Sequence, residues 1–330
     1  MTSSAAGPIA RYITSFLTVA AVVGLVLSAG PTPAAPTVRL VDDANPLAGQ
    51  PLYVDPNSAA MRASSANPDS PQLAAIANTP QAYWIDQAVP AAAVAKYIDG
   101  ARAAGAMPML ALYALPHRDC GSYAAGGFGS GAAYRQWIDG VAAQVGDGPA
   151  TLILEPDALA MADCLSADQR QERFDLMSYA VDTLTRDPAA AVYIDGGHSR
   201  WLSAEDMAAR LNQVGIAKAR GFSLNTSNFF TTDEEIGYGD AISGMTNGAH
   251  YVIDTSRNGA GPADGELYWC NPSGRALGAA PTTDTGNGNV DAFLWVKRPG
   301  DSDGSCGRGD PGPGNFMKSA AIELASNAGH

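Results

Sequence analysis

The sequence predicts an α/β fold, a seven-stranded parallel β/α barrel, from two observations. Apolar runs of strand length recur at 82–85, 107–113, 151–154, 191–194, 221–224, 250–253 and 292–296, and most gaps between them carry helical spacing, as in 89–104, 132–145, 166–185 and 204–219. Strands that alternate with helices pair in parallel, and seven in one domain favour a closed or nearly closed barrel of the TIM-like kind. A doubly wound open sheet is the rival, because one sequence does not prove closure. The second observation is that every run empties into polar or acidic residues, as the loops at the functional rim of such a barrel do.

From the N-terminus, Arg11 precedes an uncharged apolar run over 12–27 that ends in Ser28-Ala29-Gly30. This is the pattern of a signal peptide over 1–29, which implies a secreted protein. An uncleaved anchor in the cell envelope is the alternative, although the run is at the short end for a spanning helix. A Pro/Ala-rich spacer is expected over 30–45 and a single β/α-barrel domain over 46–330. No cysteine follows the apolar run directly, which argues against a lipoprotein. Export would place the four cysteines where they oxidise. Neighbours in sequence suggest Cys120 with Cys164 and Cys270 with Cys306, one of three possible connectivities, and spacing leaves the choice open.

After an extended segment at 52–56, a helix is read over about 57–66 and a polar, proline-bearing stretch over 65–71. The strand ends then follow in order: Trp84-Ile-Asp86, Tyr113 to Arg118-Asp119-Cys120, Glu155-Pro-Asp157, Asp195-Gly-Gly-His198, Asn225-Thr-Ser-Asn228, Asp254-Thr-Ser-Arg257, and Lys297 to Asp301-Ser-Asp303. One Asp after a strand is ordinary turn or cap chemistry. Seven consecutive strands doing so describe a rim. At its centre, the apolar run 151–154 is stopped by Pro156, so the chain turns and sets Asp157 at a strand's C-terminal end before a helical segment at 158–162.

Composition narrows the chemistry. With 46% hydrophobic and 16% charged residues, the 330-residue chain can bury a large core. A net charge of −13 disfavours nucleic acid and anionic lipid surfaces and leaves neutral substrates open. No metal and no cofactor are expected. The four histidines, at 117, 198, 250 and 330, form no His-Glu-x-x-His, and no cysteines form Cys-x-x-Cys. The segment 301–304 lacks the remaining ligands of a calcium loop. There is no Gly-x-Ser-x-Gly elbow, and the glycine-rich 126–131 misses the phosphate-binding spacings. Convergent carboxylates with aromatic platforms suit cleavage of a glycosidic bond, in which one protonated acid serves the leaving oxygen and an ionised group helps water attack. Trp84, Trp201 and Trp269 each adjoin a rim element, whereas Trp137 falls in a helical stretch and Trp295 in a strand.

The segments 113–120 (YALPHRDC), 154–160 (LEPDALA), 193–201 (YIDGGHSRW), 269–271 (WCN) and 294–304 (LWVKRPGDSDG) resemble glycoside hydrolase family 6, the cellobiohydrolases and endoglucanases of β-1,4-glucan. The likeness runs from about residue 50 to the end. It implies an inverting mechanism on a distorted seven-stranded barrel. Asp157 would be the general acid, Asp119 would keep it protonated and assist the water, and Asp303 would be the candidate base. Tyr113 would crowd the sugar ring. Asp195, His198 and Lys297 would contact substrate, and Trp84, Trp201 and Trp269 would be glucosyl platforms. Asp86, Asn225 and Asp301 are expected on the same substrate side. The family's two disulfides agree with the pairing suggested above.

Departures from the family pattern are Ala125, near which a serine usually helps hold the water, a task that would fall to Ser122 here; Asp301, where glutamate is usual; and Gly196, where alanine is common. The loops that roof the cellobiohydrolases into a tunnel are short here, so an open cleft and endo-acting cleavage are expected. The predicted partner is a β-1,4-glucan, with no obligate protein partner and a monomeric state. A glucan-binding relative without turnover, or an exo-acting enzyme, are the alternatives.

Overall fold

The computed structural model describes residues 44–330. The expected signal segment and nearly all of the expected spacer lie outside the described residues. Seven strands, β1 (Tyr83–Ile85), β2 (Met109–Leu112), β3 (Ala150–Leu154), β4 (Ala190–Asp195), β5 (Gly221–Leu224), β6 (His250–Asp254) and β7 (Val290–Leu294), pair in parallel in sequence order. The sheet curls, and its two edges are drawn together without a ladder. Ala82 N–H donates to Trp295 O at 3.0 Å, and the Trp84 indole N–H donates to Val296 O at 2.8 Å. The expected barrel is therefore present in distorted form, seamed between β1 and β7 by single contacts.

The strands are short and apolar because both faces are buried. Their residues alternate between two cores, as the twofold period of a strand requires. Ala111, Ile153, Tyr193, Val252 and Leu294 point into the curl, whereas Leu110, Leu152, Val192, Phe222 and Tyr251 face the helices. Inside the curl, Asp291 accepts from Tyr193 Oη at 2.7 Å and from Arg220 through both carboxylate oxygens at 2.7 Å. This buried, hydrogen-bonded cluster ties β4 and β7 to Arg220, the residue just before β5. A third core joins α1 (Ala59–Ala66), α2 (Pro71–Ala77) and α8 (Lys318–Asn327) through Leu73, Ile76, Trp295, Ala321 and Leu324.

The helices between strands are α3 (Ala91–Ala103), α4 (Gly131–Val145), α5 (Ala167–Leu184), α6 (Ala204–Gln213) and α7 (Thr232–Met245). Four of them start at a hydroxyl cap: Ser130, Ser166, Ser203 and Thr231, with Ser166 and Gln169 forming a full capping box. Three expectations change in detail. The helix read over 204–219 ends at Gln213, because Gly215 turns at φ 91° before a short 3-10 turn. Strand β7 begins two residues before the expected run, so Trp295 follows the strand instead of lying in it. The segment after Asp157 is a 3-10 turn at Ala160–Cys164. Of the three connectivities, Cys120–Cys164 and Cys270–Cys306 are the bonds formed.

Candidate active site

All seven strands deliver their C-terminal ends to one side, and a cleft of about 530 Å³ lies there. Trp84 and Asp86 come from β1; Tyr113, Asp119 and Ser122 from the loop after β2; Asp157 from β3; His198 and Trp201 from β4. Trp269 precedes β7, and Lys297, Asp301 and Asp303 follow it. The three rim indoles expected from the sequence therefore share one trough with the three carboxyls. Ala125 does not line it, whereas Ser122 does.

Asp157 sits in a turn of uncommon backbone geometry. Glu155 and Asp157 flank Pro156 with φ of 53° and 69°, so the chain reverses abruptly and holds the Asp157 side chain at the strand end. Burial pushes its pKa well above the usual carboxylate range, and the charges of Asp195, Asp119 and Asp303 push the same way against Lys297. Asp119 lies in another turn of positive φ, with His117 and Cys120 beside it, and its Oδ2 accepts the Ala124 N–H at 2.6 Å. Burial raises its pKa too. The Cys120–Cys164 bond clips this turn to the segment that follows Asp157.

Asp303 is the opposite case. Arg257 and Lys297 each reach it at 2.8 Å, and the Asn271 N–H donates to it at 3.0 Å. Although burial works against it, the two cations hold its carboxyl below its ordinary range. Asp301 is paired with Arg298 at 2.6 Å, yet burial raises its pKa. The site thus holds carboxyls that resist ionisation, Asp157 foremost, beside one, Asp303, whose ionised form is favoured, the division that acid–base chemistry at a single bond requires.

Around them, His198 is stacked on Phe230 at 4.3 Å between ring centroids and lies 5.1 Å from Trp201. Its Nδ1 accepts the Arg200 N–H, so the neutral ring carries its proton on Nε2. Burial and Arg200 lower its pKa to about 4, which keeps it neutral. Tyr113 stands edge-on to Trp84 at 5.4 Å beneath the Arg118 guanidinium, and burial keeps its hydroxyl protonated.

A family model described as "Glycosyl hydrolases family 6" matches residues 47–330. The chain belongs to this family. It is 46% identical over 284 residues to Endoglucanase A of Cellulomonas fimi, covering 84% of this chain and 61% of that protein. It is 42% identical over 293 residues to Endoglucanase A of Thermobispora bispora, covering 84% and 62%. The chain thus spans about three fifths of the length of these two relatives. Endoglucanase 1 of Streptomyces halstedii is 40% identical over 306 residues, 88% of this chain and 92% of that protein. Among solved structures, the endoglucanase Cel6 from Mycobacterium tuberculosis, in complex with methyl-cellobiosyl-4-deoxy-4-thio-β-D-cellobioside, superposes with a TM-score of 0.85 at 70% identity and covers 87% of this chain and 100% of that one.

In this family 6 chain two residues expected at the substrate side stand behind it. Asp195 is buried and does not line the cleft; its Oδ1 accepts the N–H groups of Asp157 at 2.9 Å and Gly197 at 3.0 Å, and burial pushes its pKa up to about 7. Asn225 is wholly buried, donates to Asp254 O and Phe230 O, and accepts the Phe230 N–H, so its amide braces the turn after β5. Its polarity at a strand end is what suggested a substrate contact; the turn it stabilises has no signature in one sequence.

Residues that sequence reasoning passed over include Arg118, which pairs with Asp86 at 3.3 Å; Arg257, buried against Asp303 and the Phe229 ring; and Tyr268, which lines the cleft beside Trp269. Arg257 carried a signal, since it ends the sixth strand-end motif. Glu155 sits in the acid's own motif. It is buried, and its carboxylate accepts the Ala114 and Leu115 N–H groups at 3.0–3.1 Å. Among the described residues, no group of three or more His, Cys, Asp or Glu is arranged to hold a metal ion.

Proposed function

We propose that this chain is an exported endo-β-1,4-glucanase that hydrolyses internal bonds of β-glucan with inversion at the anomeric carbon. The observation that carries the reading is the environment of Asp157: a carboxyl kept protonated by burial and three neighbouring carboxyls, in a trough shared with Trp84, Trp201 and Trp269. A glucan chain would lie along the indoles, whose faces suit the apolar faces of glucosyl rings. Asp157 would give its proton to the leaving oxygen. Water would attack the opposite face, as inversion requires. Tyr113 would press the ring at the cleaved bond towards a flattened form, and Lys297, Asp301 and Asp86 would meet sugar hydroxyls. The names of the related endoglucanases and the thio-oligosaccharide bound by the mycobacterial enzyme support this substrate class.

For the water-side proton, Asp303 is the candidate base, although its two cations leave it weakly basic. A specific observation favours Asp119 as the alternative acceptor. It faces the same cleft with a raised pKa and no close partner of the strength of the Arg257 and Lys297 pair. The domain proposed to do this chemistry runs over 46–330. Two disulfides support an oxidising compartment.

The test is the anomeric form of the first product from a soluble mixed-linkage β-glucan, read by proton NMR within the first minutes, with Asp157→Ala as control. The α-anomer is expected. A β-anomer would overturn inversion, and no release above the control while glucan still binds would make the chain a binding protein. A steep fall in viscosity per reducing end is expected of endo cleavage; a shallow one would indicate an exo-acting enzyme.

A further inference from the structure

Glu235 has no part in the chemistry above, yet it lies against the loop that carries two of the cleft's rings. It stands in the first turn of α7 with 0% of its surface exposed. Its Oε1 accepts the N–H of Ser199 at 3.0 Å, across 36 residues of sequence. Ser199 separates His198 from Arg200. The neighbouring Glu234 takes the Arg200 Nε at 2.8 Å from the solvent side. One turn of helix therefore grips two consecutive residues of the β4 loop, one from within and one from outside.

The stretch that is gripped also sets the rings. Trp201 N–H donates to His198 O at 3.1 Å, and Arg200 N–H donates to His198 Nδ1 at 3.3 Å, so displacement of Ser199 would turn both His198 and Trp201. Trp201 is 36% exposed and its position depends on this short backbone. A wholly buried carboxyl is a costly way to fill space, since an apolar side chain of similar size would pack there without a polar group to satisfy. Burial pushes the Glu235 pKa up to about 7, and the Ser199 bond works against that rise.

We infer that Glu235 is a positioning residue for substrate binding: by accepting the Ser199 N–H it fixes where His198 and Trp201 stand on the cleft wall, and so sets affinity for the glucosyl unit held there. The inference rests on the glucanase reading above. It assigns α7, whose side chains do not line the cleft, a direct mechanical link to it.

Three variants test it. Glu235→Gln keeps a carbonyl acceptor of the same reach and loses the charge; Glu235→Met keeps the bulk and loses the acceptor; Glu235→Asp keeps the charge and draws it back by one methylene. Losing a hydrogen bond from a buried site predicts that KM for soluble glucan rises about 5–20-fold in the Met and Asp variants, with kcat changed less than about threefold. The Gln variant should stay within about twofold of the native KM. Melting temperature and near-ultraviolet circular dichroism identify any variant that fails to fold, and the Asp variant carries the test if Met does. Unmoved KM in a folded Asp or Met variant overturns the inference, as does a Gln variant as impaired as Met, which would make charge the cause. If the native chain releases no reducing ends, the glucanase reading fails separately, and Kd for cellotetraose, with the same order of variants expected, decides the positioning role.

Discussion

Asp195 accepts the backbone N–H of Asp157 at 2.9 Å while its charge is the strongest neighbouring influence holding Asp157 protonated. One side chain thus aims the proposed acid and sets its acidity. Asp195→Asn separates the two roles, because the amide oxygen still accepts the N–H. With the negative neighbour gone, Asp157 would ionise more easily. The alkaline limb of the kcat/KM profile should move to lower pH, and further than in Asp119→Asn, since Asp119 is the weaker influence. The two carboxyls titrate as a pair, so the profile reports pair values. A limb that stays in place in both variants would show that burial alone protects the proton.

Loss of the acid itself should depend on the leaving group. Asp157→Asn is expected to lower kcat on a natural β-glucan by roughly 10²–10⁴-fold, the usual contribution of a general acid. On a dinitrophenyl cellobioside, whose leaving oxygen needs no proton, the loss should be much smaller. Equal losses on both substrates would remove the acid role from Asp157.

How much of this was legible depends on what each feature needs. The seven strands were legible because buried parallel strands are continuous apolar runs, and the rim because Asp and Asn sit at or just after their ends. Which rim carboxyls act together, Asp119, Asp157 and Asp303, is what the resemblance to family 6 supplied. The β1–β7 seam was not legible, because it consists of Ala82 N–H on Trp295 O and one indole contact, which no residue pattern encodes. Helix α7 was passed over because Gly237, Gly239 and Gly244 break its apolar stripe; Gly239 is required where a Cβ would come within 2.4 Å of the Tyr251 ring. With α7 unseen, Glu235 had no context. Asp195 and Asn225 were placed at the right strand ends but on the wrong side of the surface, since strand-end polarity does not say whether a side chain faces substrate or braces a turn.

The pairing of Asp303 gives a prediction about stability. Arg257 and Asp303 are 4% and 6% exposed, and Arg257 also donates to Ser227 O. Arg257→Met would leave Asp303 with Lys297 as its remaining cation in a buried site. Removing one partner of a buried pair costs about 3–5 kcal/mol, and the lower end is expected here because Lys297 stays. Urea unfolding measures the loss. With one cation gone, the Asp303 pKa should rise, moving the acid limb of activity to higher pH. A variant as stable as the native chain would mean that the pair is structurally idle.

The buried carboxyls also set how stability depends on pH. Glu155, Asp195 and Glu235 are each pushed up to about 7 by burial. An acid whose folded pKa is raised binds its proton more tightly in the native state, so stability is fullest below the unfolded value and declines as pH climbs to about 7. Asp303 has the opposite sign: its depressed folded pKa contributes stability above the ordinary Asp value of 3.8, and this is lost as pH falls through the depressed value. Together they place the highest melting temperature at mildly acidic pH, near 4–5 by the reference carboxylate values, with a fall towards pH 8. Glu155→Gln supplies an acceptor for the Ala114 and Leu115 N–H groups without ionising, so it should flatten the alkaline side of the curve. Differential scanning calorimetry from pH 3 to 9 on both proteins checks this. A native curve flat between pH 5 and 8, or a Gln variant with the native slope, would mean that Glu155 ionises in the folded protein as readily as in water.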